Sequence, residues 1–134
     1  MRQYVIVRAN QSPRQIMVQA AHAAANLAEA TEIAEEVRLK EGPLRPAPNR
    51  TLIILQVPDG LALRLIQFRL MFLGVKGVSH SEPDYSLFQK LVDTFHWPGE
   101  PRGEDLTAIS FYAPRGRYKF LDNLKLADPY KNQQ

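Results

Sequence analysis

Apolar positions along this chain fall into short blocks divided by turn residues, and their spacing changes from block to block. Tyr4 to Arg8 is a short β-branched run bounded by Ala9-Asn10-Gln11, and it reads as a buried strand. Ser12-Pro13-Arg14-Gln15 then opens a helix. Ser12 can cap the free amides, Pro13 suits the first helical position, and Gln15 completes an S-x-x-Q capping box. An alanine-rich run carries this helix to about Lys40, where Gly42-Pro43 stops it. The proline-rich stretch from Leu44 to Arg50 reads as a connecting loop, and Thr51 to Val57 as the clearest strand. Pro58-Asp59-Gly60 turns that strand. Leu61 to Leu73 has helical spacing through Leu61, Leu65, Phe68 and Phe72, and Gly74 ends it. Lys76 to Ser81 reads as a third strand and Leu106 to Tyr112 as a fourth, closed by Pro114.

The order β-α-β-α-β-insertion-β predicts a single-domain α/β layered fold, a mixed four-stranded sheet with helices packed on its faces. The insertion covers about 85–105. Within it, Ser86 to Phe95 reads as a short amphipathic helix and Trp97 to Gly103 as loop. Such an insertion serves as a lid or partner contact, or is a surface decoration packed by its own apolar face.

Length and composition narrow the picture. The 134 residues suit one domain, and 45% hydrophobic residues supply a core. No stretch of eighteen apolar residues exists, so no membrane-spanning segment is expected. The opening apolar run is too short for a signal peptide, which leaves the cytoplasm as the expected location. There is no cysteine, which excludes a disulfide framework and a thiolate metal site. His22, His80 and His96 are too far apart in sequence to suggest a local zinc motif, and no metal or other cofactor is expected. A net charge of +3 and a pI near 9.3 permit an anionic partner such as RNA without demanding one.

The first helix carries the candidate chemistry. Its first half is apolar almost all round, and the exceptions line up. Gln15, Gln19, His22, Asn26 and Glu29 follow steps of four, three, four and three, which places them on one stripe. Burying amides and an imidazole without partners costs roughly 1–3 kcal/mol each, so the stripe faces water or a polar site. Before Glu29 it holds no charge, which fits a cleft wall better than an open face. Free amides at the helix start, with Arg14 beside them, attract phosphate or carboxylate. Near the end of the chain Arg115, Arg117 and Lys119 alternate with Tyr118 and Phe120. Cations with interleaved rings can grip phosphate and stack on bases. The plainer alternative is a turn into a closing segment, with Phe120, Leu121 and Leu124 on the core.

These residues resemble a known family. Peptidyl-tRNA hydrolases of the archaeal/eukaryotic type have a first strand ending V-V-R-x-D-L and a helix opening G-K-I-A-A-Q-x-x-H-A-A. Here the strand reads Val5-Ile6-Val7-Arg8-Ala9-Asn10-Gln11, and the helix reads Arg14-Gln15-Ile16-Met17-Val18-Gln19-Ala20-Ala21-His22-Ala23-Ala24. The family's later aspartate, threonine and closing proline look like Asp84, Thr107 and Pro114. A bacterial and phage branch with E-P-D and L-T-A-I is similar in more detail, through Glu82-Pro83-Asp84 and Leu106-Thr107-Ala108-Ile109. The family lysine aligns with Gln15, and its first aspartate with Asn10. Arg14 is one position away, a rotation of about 100° on a helix, so it does not simply replace the lysine.

The resemblance implies hydrolysis of the ester joining a peptide to the terminal ribose of tRNA, weakened or altered by the missing lysine. It implies Asp84 to orient or activate water, and Thr107 to bond the acyl carbonyl or fix Asp84. Gln15 and Gln19 would donate to the oxyanion, and His22 would hold the site together or contact substrate. Asn10, Arg14, Arg115, Arg117 and Lys119 would bind substrate. No metal is implied. The plain alternatives are turn chemistry at Asp84, strand propensity at Thr107 and capping at Gln15. A non-catalytic binder of tRNA or ribosome is the competing class. Relatives of this kind are often dimers, which allows a homodimer here.

Overall fold

The computed structural model describes residues 1–42, 51–83 and 104–127. Asp84, the insertion up to 103, and the 43–50 connection lie outside the described residues, and so do the short helix and loop expected within that insertion. The elements are β1 Arg2–Arg8, α1 Pro13–Glu29, α2 Thr31–Glu41, β2 Leu52–Val57, α3 Gly60–Phe72, β3 Gly77–Pro83, β4 Glu104–Ala113 and β5 Lys125–Leu126. A 3-10 turn, Lys119–Asn123, precedes β5.

The sheet has five strands, in the order β3-β4-β1-β2-β5, rather than the expected four. The fifth is the two-residue β5, too short to leave a pattern in sequence, which pairs antiparallel with β2. β1 and β2 are parallel, while β4 runs antiparallel to both β1 and β3. The carboxyl ends of β1, β2 and β3 therefore share one edge of the sheet.

Central β1 is buried on both faces, as its unbroken apolar run requires. Tyr4 and Ile6 face α3, in a core with Leu63, Leu70, Ile109 and Phe111. Val5 and Val7 face α1, in a core with Ile16, Ala20, Ala23 and Ala108. The alanines let α1 approach closely. Its start is the expected capping box: Gln15 N–H donates to Ser12 Oγ, and Ser12 N–H donates to Gln15 Oε1.

The single long helix expected up to Lys40 is two helices. Ala30 leaves helical geometry at ψ 85° and donates its N–H to Leu27. A straight run of that length would reach about 40 Å, while a seven-residue strand spans about 23 Å. The break returns the chain to the sheet, where buried Ile33 and half-buried Val37 pack with Leu27, Val78 and Tyr112. The closing segment packs as the plain reading expects: Leu121 is buried, and Tyr118, Phe120 and Leu124 lie against the α3-side core.

α3 begins at Asp59, whose carboxylate accepts from Ala62 N–H. It ends in a Schellman arrangement. Val75 N–H donates to the Leu70 carbonyl, Gly74 N–H donates to that of Met71, and Gly74 takes a φ of 76°. The stripe that marks α3 in sequence is not its buried side. Leu63, Arg64, Gln67 and Leu70 face the sheet, while Leu61, Leu65 and Phe72 are exposed. The inward polar pair is only partly satisfied: Arg64 Nη1 donates to Gln67 Oε1 and Gln67 Nε2 donates to Ser79 Oγ, while the buried Arg64 Nη2 meets no acceptor among the described residues.

Candidate functional site

The site lies at the edge where β1 and β3 end, on the α1 face. Val7, Ala108 and His80 form one row across β1, β4 and β3. Beyond that row the β3–β4 register shifts. His80 pairs with Ala108, but Ser81 pairs with Leu106, so Thr107 is an extra residue. This is a β-bulge, and it decides where Thr107 points. Regular alternation would put Thr107 on the side opposite Ala108. With the bulge, Leu106 joins the α3-side core, and Thr107 reaches toward α1 beside Ala108.

There the Thr107 hydroxyl donates toward Gln19 Oε1 at 3.0 Å and the His80 carbonyl at 2.8 Å. A hydroxyl has one proton, so the two acceptors share it. Both side chains are sealed: Thr107 is 1% exposed and Gln19 5%. One step along α1, exposed His22 stacks its ring on that of half-buried His80, with centroids 4.7 Å apart and planes 16° off parallel. The imidazoles are thus tied to the hydroxyl network through the His80 backbone.

Arg8 ends β1 at the same edge. Its Nε donates to Asn10 Oδ1 at 2.8 Å, and its Nη1 donates to the Leu106 carbonyl at 3.3 Å. This holds β1 to the start of the bulge. Two buried oxygens at this edge, Gln11 Oε1 and Ser81 Oγ, find no hydrogen-bond partner among the described residues. Buried polar atoms are rarely left so, which marks the edge as polar.

The expected residues therefore separate into groups. Gln19, His22 and Thr107 come together. The uncharged stripe does not stay intact: Gln19 is buried, Asn26 half-buried, and Gln15, His22 and Glu29 exposed. Gln15 serves the helix cap with its oxygen. Arg14 and Asn10 are exposed near the start of α1. Arg115, Arg117 and Lys119 follow the far end of β4, roughly 20 Å of strand from Thr107. They are exposed there, and Arg117 lines a cleft of about 170 Å³ with Met1, Glu36, Lys40, Lys76 and Tyr112.

His80 and the bulge were missed in sequence. Period-2 alternation offers a signal for His80, since Val78 is apolar and His80 shares its face. The bulge leaves no local signal, because it is a mismatch between two strands.

Charge is organised mainly away from this site. Lys76 beside Glu36 at 2.9 Å, and then Lys40 at 3.3 Å, hold the Glu36 carboxyl below its usual range. The same Glu36 raises Lys76, and Glu35 raises Arg38. Among the described residues no group of three or more His, Asp or Glu side chains is placed to hold a metal ion. No described helix is long and apolar enough to cross a membrane.

Comparison with known proteins adds the fold alone. No family model matches the chain, and no curated protein matches it. A solved structure of a protein of unknown function, Atu0240 from Agrobacterium tumefaciens strain C58, is similar, with a TM-score of 0.56 and 17% identity. The match covers 95% of this chain and 97% of that one.

Proposed function

We propose that this chain acts on peptidyl-tRNA, hydrolysing the ester between the peptide and the terminal ribose, at the edge formed by Arg8, Asn10, Gln19, His22, His80 and Thr107. The observation that carries the reading is the bulge that turns Thr107 onto Gln19 beside the stacked histidines. Of these, Gln19, His22 and Thr107 are residues that the motif resemblance selects from two distant parts of the chain.

Thr107 and Gln19 are too deep to meet a substrate. They act as positioning residues, fixing the His80 backbone and so the ring on which His22 rests. His22 is the accessible proton acceptor. Its imidazole takes a proton as water adds to the ester carbonyl, and returns it to the ribose oxygen as the acyl–oxygen bond breaks. The products are a free peptide carboxyl and a tRNA hydroxyl. Arg14 and the amides that open α1 attract the phosphates of the tRNA end. The resemblance gives Asp84 a share in orienting the water; that residue follows β3 in sequence and lies outside the described residues.

The test is release of tRNA from peptidyl-tRNA by the purified chain, with His22→Ala and Thr107→Val beside it. Turnover that falls at least about tenfold in both variants supports the reading. No turnover above buffer, or equal rates in all three proteins, overturns it.

A second reading has its own observation. Gln15, at the position of the family lysine, spends its oxygen on the Ser12 N–H. A chain without that cation fits a non-catalytic binder of tRNA or ribosome. Such a binder shows no turnover, and its affinity for tRNA falls steeply with salt as counterions are released.

A further inference from the structure

We propose that the cleft at the end of the sheet opposite Thr107 is a binding site for a small phosphate monoester, a single ring carrying one phosphate. It shares no residue with the hydrolytic site proposed above and does not rest on it.

The cleft has an apolar floor. Ile33, Val37 and Tyr112 line it from the packing beneath α2, and Val75 and Tyr118 line it from the α3-side core. Both cores thus reach the surface together at this end of the sheet. A ligand pocket of this kind is mostly apolar, with a few polar groups that fix orientation. The volume of about 170 Å³ suits one ring. An apolar cavity of about 150 Å³ is enough to hold benzene.

The rim is cationic. Lys40, Lys76 and Arg117 line it, and Glu36 is the one carboxylate among the described lining residues. Glu36 serves to fix the lysines. Its Oε1 accepts from Lys40 at 3.3 Å, and its Oε2 pairs with Lys76 at 2.9 Å. An ammonium group has three N–H donors, so each lysine keeps donors beyond the one it spends on Glu36. The two side chains stay 71% and 68% exposed, and Arg117 is exposed as well.

Charge selects the ligand. Three cationic side chains against one carboxylate leave two positive charges unmet. A phosphate monoester brings about that much negative charge near neutral pH, whereas a carboxylate brings half. The Arg117 guanidinium offers a planar fork that matches phosphate oxygens in pairs. A neutral ring would leave the rim unpaired, and inorganic phosphate would leave the floor wet.

Calorimetry and amide NMR spectra of the full chain titrated with phenyl phosphate test this. The expected dissociation constant is below about 1 mM. Amide shifts should centre on Val75, Lys76, Tyr112 and Arg117 rather than on Gln19 and His22. Benzyl alcohol, which lacks the charge, and inorganic phosphate, which lacks the ring, should each bind at least about tenfold more weakly. Arg117→Gln and Lys40→Gln replace exposed side chains, so both should keep the wild-type circular dichroism. Each should weaken phenyl phosphate at least about threefold. Lys125→Gln, on β5 and away from the cleft, should bind as wild type does. A dissociation constant above about 1 mM, shifts centred on the Gln19–His22 edge, or equal affinity in wild type and both rim variants overturns the proposal. Displacement of phenyl phosphate by tRNA also overturns it, because the rim would then serve a nucleic-acid backbone.

Discussion

The Thr107 hydroxyl lies 3.0 Å from the Gln19 amide oxygen, across a sequence separation of 88 residues. The first strand, the first helix and the last long strand must all be in place before that bond can form. It stands on a bulge, so it also depends on the register of β3 against β4. The His22–His80 stack lies directly beside it.

Thr107→Val keeps the shape of the side chain and removes the hydroxyl. The Gln19 oxygen and the His80 carbonyl then lose a buried donor. We expect a loss of about 1–3 kcal/mol in urea unfolding. Thr107→Ser keeps the donor and should recover most of it. Equal stability of the valine variant and wild type would show that the bond contributes nothing.

Gln15→Lys restores the cation at the family position and breaks half of the capping box. The cost should be small, roughly 0.5 kcal/mol, because the cap is exposed. If the hydrolytic reading holds, turnover of peptidyl-tRNA should rise about tenfold or more. Lower stability with unchanged turnover would assign Gln15 to the cap alone.

Glu36 joins α2 to the turn before β3 through Lys76. Its folded pKa is lowered, so its contribution is present above the ordinary value of 4.5 and is lost as pH falls through the depressed value. Lys76 is raised, so its contribution is present below 10.5 and is lost as pH rises through the raised value. The gap in Tm between wild type and Glu36→Gln should therefore be widest between these limits. It should close toward acid and toward strong base, and shrink in high salt because the pair is exposed. A gap that persists in acid strong enough to protonate the Glu36 carboxyl would exclude the ion pair as its source.

Gly74→Ala isolates a backbone effect. An added Cβ meets nothing within 4 Å, so no clash arises. The left-handed φ alone should cost about 1–2 kcal/mol in urea unfolding. A loss several times larger would mean that the turn cannot hold its shape with any side chain.

Much of the fold was legible because local chemistry and tertiary need agree. The Ser12–Gln15 box forms as its spacing predicts, and β1 is buried on both faces as its apolar run requires. The break at Ala30 was not legible, because Ala30 and Thr31 fit a continuous helix locally. It follows from the size of the sheet beneath. The stripe Leu61, Leu65, Phe68 and Phe72 identified a helix but misplaced its core side, since periodicity does not say which apolar face meets the sheet.

The geometry of the candidate site was legible in part. Gln19, His22 and Thr107 were named from motif and stripe, and they are together. Their depth was not predicted, because a polar stripe alone does not tell which members turn inward. Arg115, Arg117 and Lys119 looked like companions of the site by composition, but β4 carries the chain to the other end of the sheet before they occur.

The most direct measurement is the initial rate of tRNA release from peptidyl-tRNA by wild type and Thr107→Val, with both proteins shown to be folded. We predict measurable turnover for wild type and a rate at least about tenfold lower for the variant. Turnover that ignores the loss of the hydroxyl, or no wild-type turnover at all, would contradict a hydrolytic site built on Thr107, Gln19 and the histidine pair.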